Sequence, residues 1–196
     1  MTDLPMKQNF LPPLYSDGID IEEDSSARMY VGKIIRFKEG RYFNDKEIVK
    51  TEGRHYSFQG LILMYQRWDD GKPVETWVTQ PGQKHPHRNS FGHLDKSEWP
   101  AGLSGEPEDP VQDVRLMHVI GEDTGQSYTF STSSFGGIMA VTDLKQSIAS
   151  YRLQHPGSRP IIELSQCPMK TKFGTRMRPD FPIVGWIDPP LTEAPY

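Results

Sequence analysis

The chain has 196 residues, 35% of them apolar, a formal net charge of −4 and 17 residues each of glycine and proline. That length suits one domain with additions, and that composition allows a core while reserving much of the chain for turns and loops. A single cysteine, Cys167, excludes an intramolecular disulfide and a Cys-rich zinc site, and the longest apolar run, Leu61–Tyr65, is too short to cross a bilayer. With no basic-then-apolar leader at the N-terminus, the expected setting is the cytoplasm, with no membrane partner.

Residues 1–27 combine Pro5, Pro12 and Pro13 with the acidic cluster Asp17, Asp20, Glu22, Glu23 and Asp24, and read as an extended acidic arm. Tyr30 to Phe43 mixes apolar Val31, Ile34, Ile35 and Phe37 with Lys33, Arg36, Lys38 and Arg41; it suits a strand or a short helix. Leu61–Trp68, the Asp70-Gly71 turn and Val74–Thr79 spell a β-hairpin. Residues 80–112, rich in proline, glycine and histidine, form a long insertion without periodicity. A second hairpin follows, Val114–Ile120 and Tyr128–Thr132 around Asp123-Thr124-Gly125. Ser133-Ser134 can then cap a helix with an apolar stripe of Ile138, Val141, Leu144, Ile148 and Tyr151, which His155-Pro156-Gly157 stops. Pro160–Leu164 and Phe181–Ile187 are the last strands, and Pro182 argues that the final one begins late or lies at an edge.

Three strands, a helix and two strands is the order of an OB-type five-stranded barrel. The expected fold is therefore mainly β with one helix: one OB-like domain over residues 28–190, an extra hairpin, an insertion at about 80–112, and a short tail over 191–196.

Between Ser165 and Arg178 the cations Lys170, Lys172, Arg176 and Arg178 occur without one acidic residue. Placed between the last two strands of such a barrel, they flank the ligand groove and can neutralise phosphates, with Phe173 stacking on a base. A solvated hairpin that keeps a sheet edge soluble is the competing explanation. Trp68 and Trp77 are further candidates for stacking, although strand aromatics more often fill cores. Arg36 and Lys38, beside Tyr42 and Phe43, could extend the basic track, diluted by Glu39 and Asp45.

His85, His87 and His93 are the only metal-like cluster, but no cysteine supports it and Lys84 and Arg88 oppose a cation, so no metal and no cofactor are expected. Ser133-Ser134-Phe135-Gly136-Gly137 resembles an anion-binding turn at a helix N-terminus without matching a P-loop; an N-cap with close helix packing is the plainer explanation. No hydrolase, zinc-protease or carboxylate-metal signature accompanies Cys167, and the chain is not expected to be an enzyme.

Tyr128–Gly137, together with Met169–Trp186 containing Arg178-Pro179 and Ile183-Val184-Gly185-Trp186, resembles phage and prophage OB-type single-stranded DNA-binding proteins over roughly residues 60–187. The resemblance implies binding of single-stranded nucleic acid in DNA replication, recombination or protection. It departs from the family at the C-terminus, where Leu191–Tyr196 is no acidic tail. Two rivals remain: a protein-interaction module whose acidic clusters (the N-terminal one, and Glu106, Glu108, Asp109 and Asp113) mimic DNA, and a metal-dependent enzyme built on the histidines.

Overall fold

The computed structural model describes residues 29–80, 82–102, 105–172 and 174–189. In chain order the described elements are β1 (Lys33–Lys38), β2 (Arg41–Asn44), β3 (Glu47–Ile48), β4 (His55–Asp69), β5 (Lys72–Val78), β6 (Val111–Gly121), β7 (Ser127–Thr132), α1 (Phe135–Arg152), β8 (Arg159–Glu163), β9 (Ser165–Thr171), β10 (Gly174–Asp180) and β11 (Ile183–Ile187). The protein is mainly β with one helix. No helix among the described residues is long and apolar enough to cross a membrane. The expected acidic arm over 1–27 and the tail over 191–196 lie outside the described residues.

The sheet is organised around β4. Nine strands run in the order β11-β8-β4-β6-β7-β1-β2-β3, with β5 also paired to β4. Along one edge of β4, His55–Ser57 pair with β8 and Met64–Asp69 with β5, while its other edge runs against β6 from Tyr56 to Arg67. A register shift between Phe58 and Gly60 bends the strand, which lets one backbone serve two partners on the same edge. Both hairpins expected from the Asp70-Gly71 and Asp123–Gly125 turns are present, as β4-β5 and β6-β7. The described pairings form an open path, and no pairing joins β3 to β11 among the described residues.

Period-two alternation splits β4 and β6 between two apolar layers. Phe58, Leu61, Leu63, Met117 and Val119 face α1 and join Ile35, Tyr56, Phe130, Val141, Leu144, Ile148, Ile162 and Phe181 in the main core. Full burial of each such side chain contributes about 1.5–3 kcal/mol. Met64, Val114 and Leu116 face the other way and are covered by Met29 and Tyr30. That cover is pinned by polar bonds. Buried Thr129 accepts from the Val31 amide and donates to the Val31 carbonyl, both at 2.8 Å, and the His118 imidazole meets the Met29 carbonyl at 3.0 Å.

The helix begins where Ser134 accepts a hydrogen bond from the Gly137 amide and ends just before His155-Pro156-Gly157, as the sequence predicts. Its far end is fixed by a stack of rings: Tyr151 lies 3.8 Å from Trp186 on one side and 4.3 Å from His155 on the other, both nearly parallel.

Three segments differ from expectation. Tyr30 to Phe43 contains neither a lone strand nor a helix but the hairpin β1-β2, turned at Glu39-Gly40 with both residues at positive φ, and β1 adds to β7 in parallel. The basic segment, expected as the connection between the last two strands, is itself a separate two-stranded hairpin of β9 and β10. Its alternation is hard to see in sequence because half-buried Cys167, Met169 and Thr171 interleave with exposed Gln166, Pro168 and Lys170, an apolar face too sparse to register. The insertion at 80–112 contains two short 3-10 turns, Arg88–Ser90 and Lys96–Glu98, and is held by Arg88. That guanidinium bonds both Asp109 oxygens, at 2.6 and 2.8 Å, and the carbonyls of Phe91, Gly92 and His93.

Candidate anion-binding groove

Two features that are far apart in sequence meet in space. The first turn of α1 and the hairpin β9-β10 pack so closely that a Cβ on Gly136 would lie 2.9 Å from the Arg178 Cβ, and one on Gly137 would collide with the Thr132 side chain. The two glycines are therefore packing devices, and the approach they permit brings arginines to a helix N-terminus. Between α1, β10 and the β1-β2 turn runs a groove lined by Lys38, Phe135, Gly136, Met169, Arg176 and Arg178, among others.

Its electrostatics are favourable to an anion. α1 has no acidic residue in its first turn, so the positive end of its dipole is not neutralised locally. Arg178 is largely buried and meets Asp143 at 3.0 Å. Burial opposes its charge, but the Asp143 carboxylate outweighs that cost and holds the guanidinium pKa above its ordinary value. Its Nη1 is buried with no hydrogen-bond partner, leaving a charged donor unsatisfied beside the groove. Lys38 is exposed and paired at 3.7 Å with exposed Glu39, an interaction of little strength in water. Beside these cations stands Phe135, 72% exposed, an unusual position for a phenyl ring.

Of the candidates from sequence, Lys38, Arg176 and Arg178 come together here. Lys170 pairs across the hairpin with Thr175, and neither it nor exposed Lys172 lines the groove. Arg36 is exposed on β1, opposite Phe43, and also lies outside it. Phe173 falls outside the described residues. Neither Trp68 nor Trp77 lines this groove. Trp77 packs 4.7 Å from Phe91, and half-buried Trp68 sits where β4 meets Pro110, its indole nitrogen buried without a partner. Of the two phenylalanines that line the groove, Phe37 and Phe135, the exposed one lies within the anion-like turn and carries no separate signal; only its place as first residue of a capped helix marks it.

The other clusters resolve differently. His85 stacks on Tyr65 at 4.9 Å, meets the Thr79 hydroxyl at 2.7 Å and faces Asp113 at 3.4 Å. Although burial pushes the Asp113 carboxyl upward, His85 and Arg115 prevail and hold it below the usual aspartate range. Among the described residues, no three His, Cys, Asp or Glu side chains are placed to hold a metal ion. Asp109 and Asp113 are occupied by Arg88 and Arg115, so the second acidic cluster presents no uniform acidic face. No protein-family model matches the chain, and neither a curated protein nor a solved structure does.

Proposed function

We propose that the chain binds single-stranded nucleic acid without catalysing a reaction, and that its β4-β6-β7-α1-β8-β11 portion is an OB-type barrel carrying added strands. One observation carries the binding reading: Lys38, Arg176 and Arg178 share a groove with the uncompensated N-terminus of α1 and the exposed ring of Phe135. Cations for phosphates next to an aromatic face for bases are the two components of sequence-tolerant single-strand binding. Double-stranded DNA would need no exposed phenyl ring.

The barrel reading draws support from connectivity. The long bent strand β4 pairs with both β6 and β8, β6 with β7, and β8 with β11, while α1 connects β7 to β8. Phe181, just before β11, reaches Phe130 of β7 at 5.2 Å between ring centres, so the β11 end of the sheet and β7 face a common core. The hairpin β9-β10 then occupies the connection that flanks the ligand groove in such barrels. A role in replication, recombination or protection of phage DNA belongs to the same proposal.

The test is anisotropy of a labelled oligothymidylate titrated with the chain at low and high salt. Binding at low salt that weakens steeply with added salt, by a slope of roughly 0.7 per phosphate contacted, is expected. An oligomer that stays free at low salt overturns the proposal.

A further inference from the structure

Resting on that reading, we infer that the site continues past the β1-β2 turn into a second groove, so that the ligand is an extended strand crossing the turn and not a short oligonucleotide or a mononucleotide. The second groove is lined by Arg41, Lys50, Thr51 and Arg54 from the β2-β4 region and by Ser165 and Gln166 at the start of β9. Gly40 lines both grooves. It has φ +77°, which suits glycine, and a Cβ there would come 2.7 Å from the Gln166 side-chain oxygen. Gly40 thus adds no side chain of its own to the partition between the grooves, where the side chains of Gln166 and Met177 lie against its backbone.

Charge along the second groove decides what can follow. Its carboxylates are Glu52 and Glu163, and Glu163 lies 3.4 Å from His55. Arg54 lies 3.6 Å from Asp123. Arg41 and Lys50 are exposed and make no ion pair with another described residue, which leaves two cations against Glu52. A weakly positive surface with hydroxyl and amide groups suits a phosphodiester backbone that has already been anchored at Arg176 and Arg178. It would not capture a free anion by itself. Exposed Ile48, on the same wall, offers an apolar contact to a base or sugar.

The experiment compares thymidine oligomers of about 4 and about 16 nucleotides, the range one OB-type domain spans, by anisotropy with the full chain. The wild type should bind the long oligomer far more tightly than the short one. Replacing both exposed cations, Arg41→Ala with Lys50→Ala, should lower the long-to-short affinity ratio about tenfold and reduce the salt slope for the long oligomer by roughly 0.7 per lost contact. Arg176→Ala should weaken both oligomers and keep the ratio. Glu52→Gln should raise the ratio. Equal affinity of the wild type for both lengths, or a ratio untouched by the double substitution, overturns the extended site while leaving the first groove standing. If neither oligomer binds at low salt, both proposals fall together.

Discussion

Phe135 sits at the first position of α1 with its ring 72% in solvent, one residue before a glycine that lets Arg178 approach. Burial accounts poorly for a side chain there, because most of its apolar surface stays in water. If it stacks on a base, Phe135→Ala removes about 1–3 kcal/mol of binding per base. Oligothymidylate affinity should therefore drop by one to two orders of magnitude, read by anisotropy. The thermal unfolding midpoint should stay within about 2 °C, since little packing is lost. A loss of affinity accompanied by a large fall in the midpoint would instead mark the ring as structural. Arg178 is the contrasting residue: it is tied to Asp143 and packed against α1, so its replacement disturbs fold and groove together.

At the scale of elements, the most conditional piece is the cover formed by residues 29–31 over the outer face of β4 and β6. It rests on two buried polar side chains, Thr129 and His118. Burial lowers the pKa of His118 below the ordinary value of 6.5, with the Met29 carbonyl opposing the shift. The unfolded chain therefore takes up a proton more readily than the folded one between those two pKa values. The stability this histidine contributes is complete above about pH 6.5 and is lost as the pH falls through its folded pKa. Denaturant midpoints measured on either side of that window should fall toward acid in the wild type. His118→Gln should flatten that part of the curve, and an identical acid dependence in both proteins would contradict the role given to His118.

At the scale of the molecule, the nine-stranded sheet and the β9-β10 hairpin are separate ladders joined by few contacts, one of them the buried hydroxyl of Tyr42, which donates to the Ser165 carbonyl at 2.6 Å. Burial drives that phenol's pKa well up, so it remains a donor at any working pH. Tyr42→Phe should cost about 0.5–1.5 kcal/mol. Hydrogen exchange should show the loss concentrated in β9 and β10, with β4 and β6 little changed; a uniform loss would mean the two ladders open as one. The same division explains what could be read in advance. Leu61–Trp68, Val114–Ile120 and the Ser134-capped helix announce themselves, because each has its own turn or cap and a dense apolar period. β1, β2, β9 and β10 do not, because their inward residues are few and their partners are distant or sparse in apolar groups. The cations of the groove stand out by charge alone, whereas the indoles of Trp68 and Trp77, on strands, signal nothing about which neighbour, Phe91 or solvent, covers them. That Lys38 shares a groove with Arg176 is beyond local reading, since β1 is placed in the sheet by its parallel pairing with β7.

The ring stack at the end of α1 has an optical consequence. An indole, a phenol and an imidazole stacked nearly parallel, with neighbouring ring centres within 4.3 Å, form a chiral array of chromophores, anchored by the helix on one side and the last strand on the other. Its near-ultraviolet dichroism belongs to that junction and not to the groove, where Phe135 absorbs weakly and none of Trp68, Trp77 or Trp186 is found. The seating of α1 on β11 thus has an optical contribution of its own in the free protein.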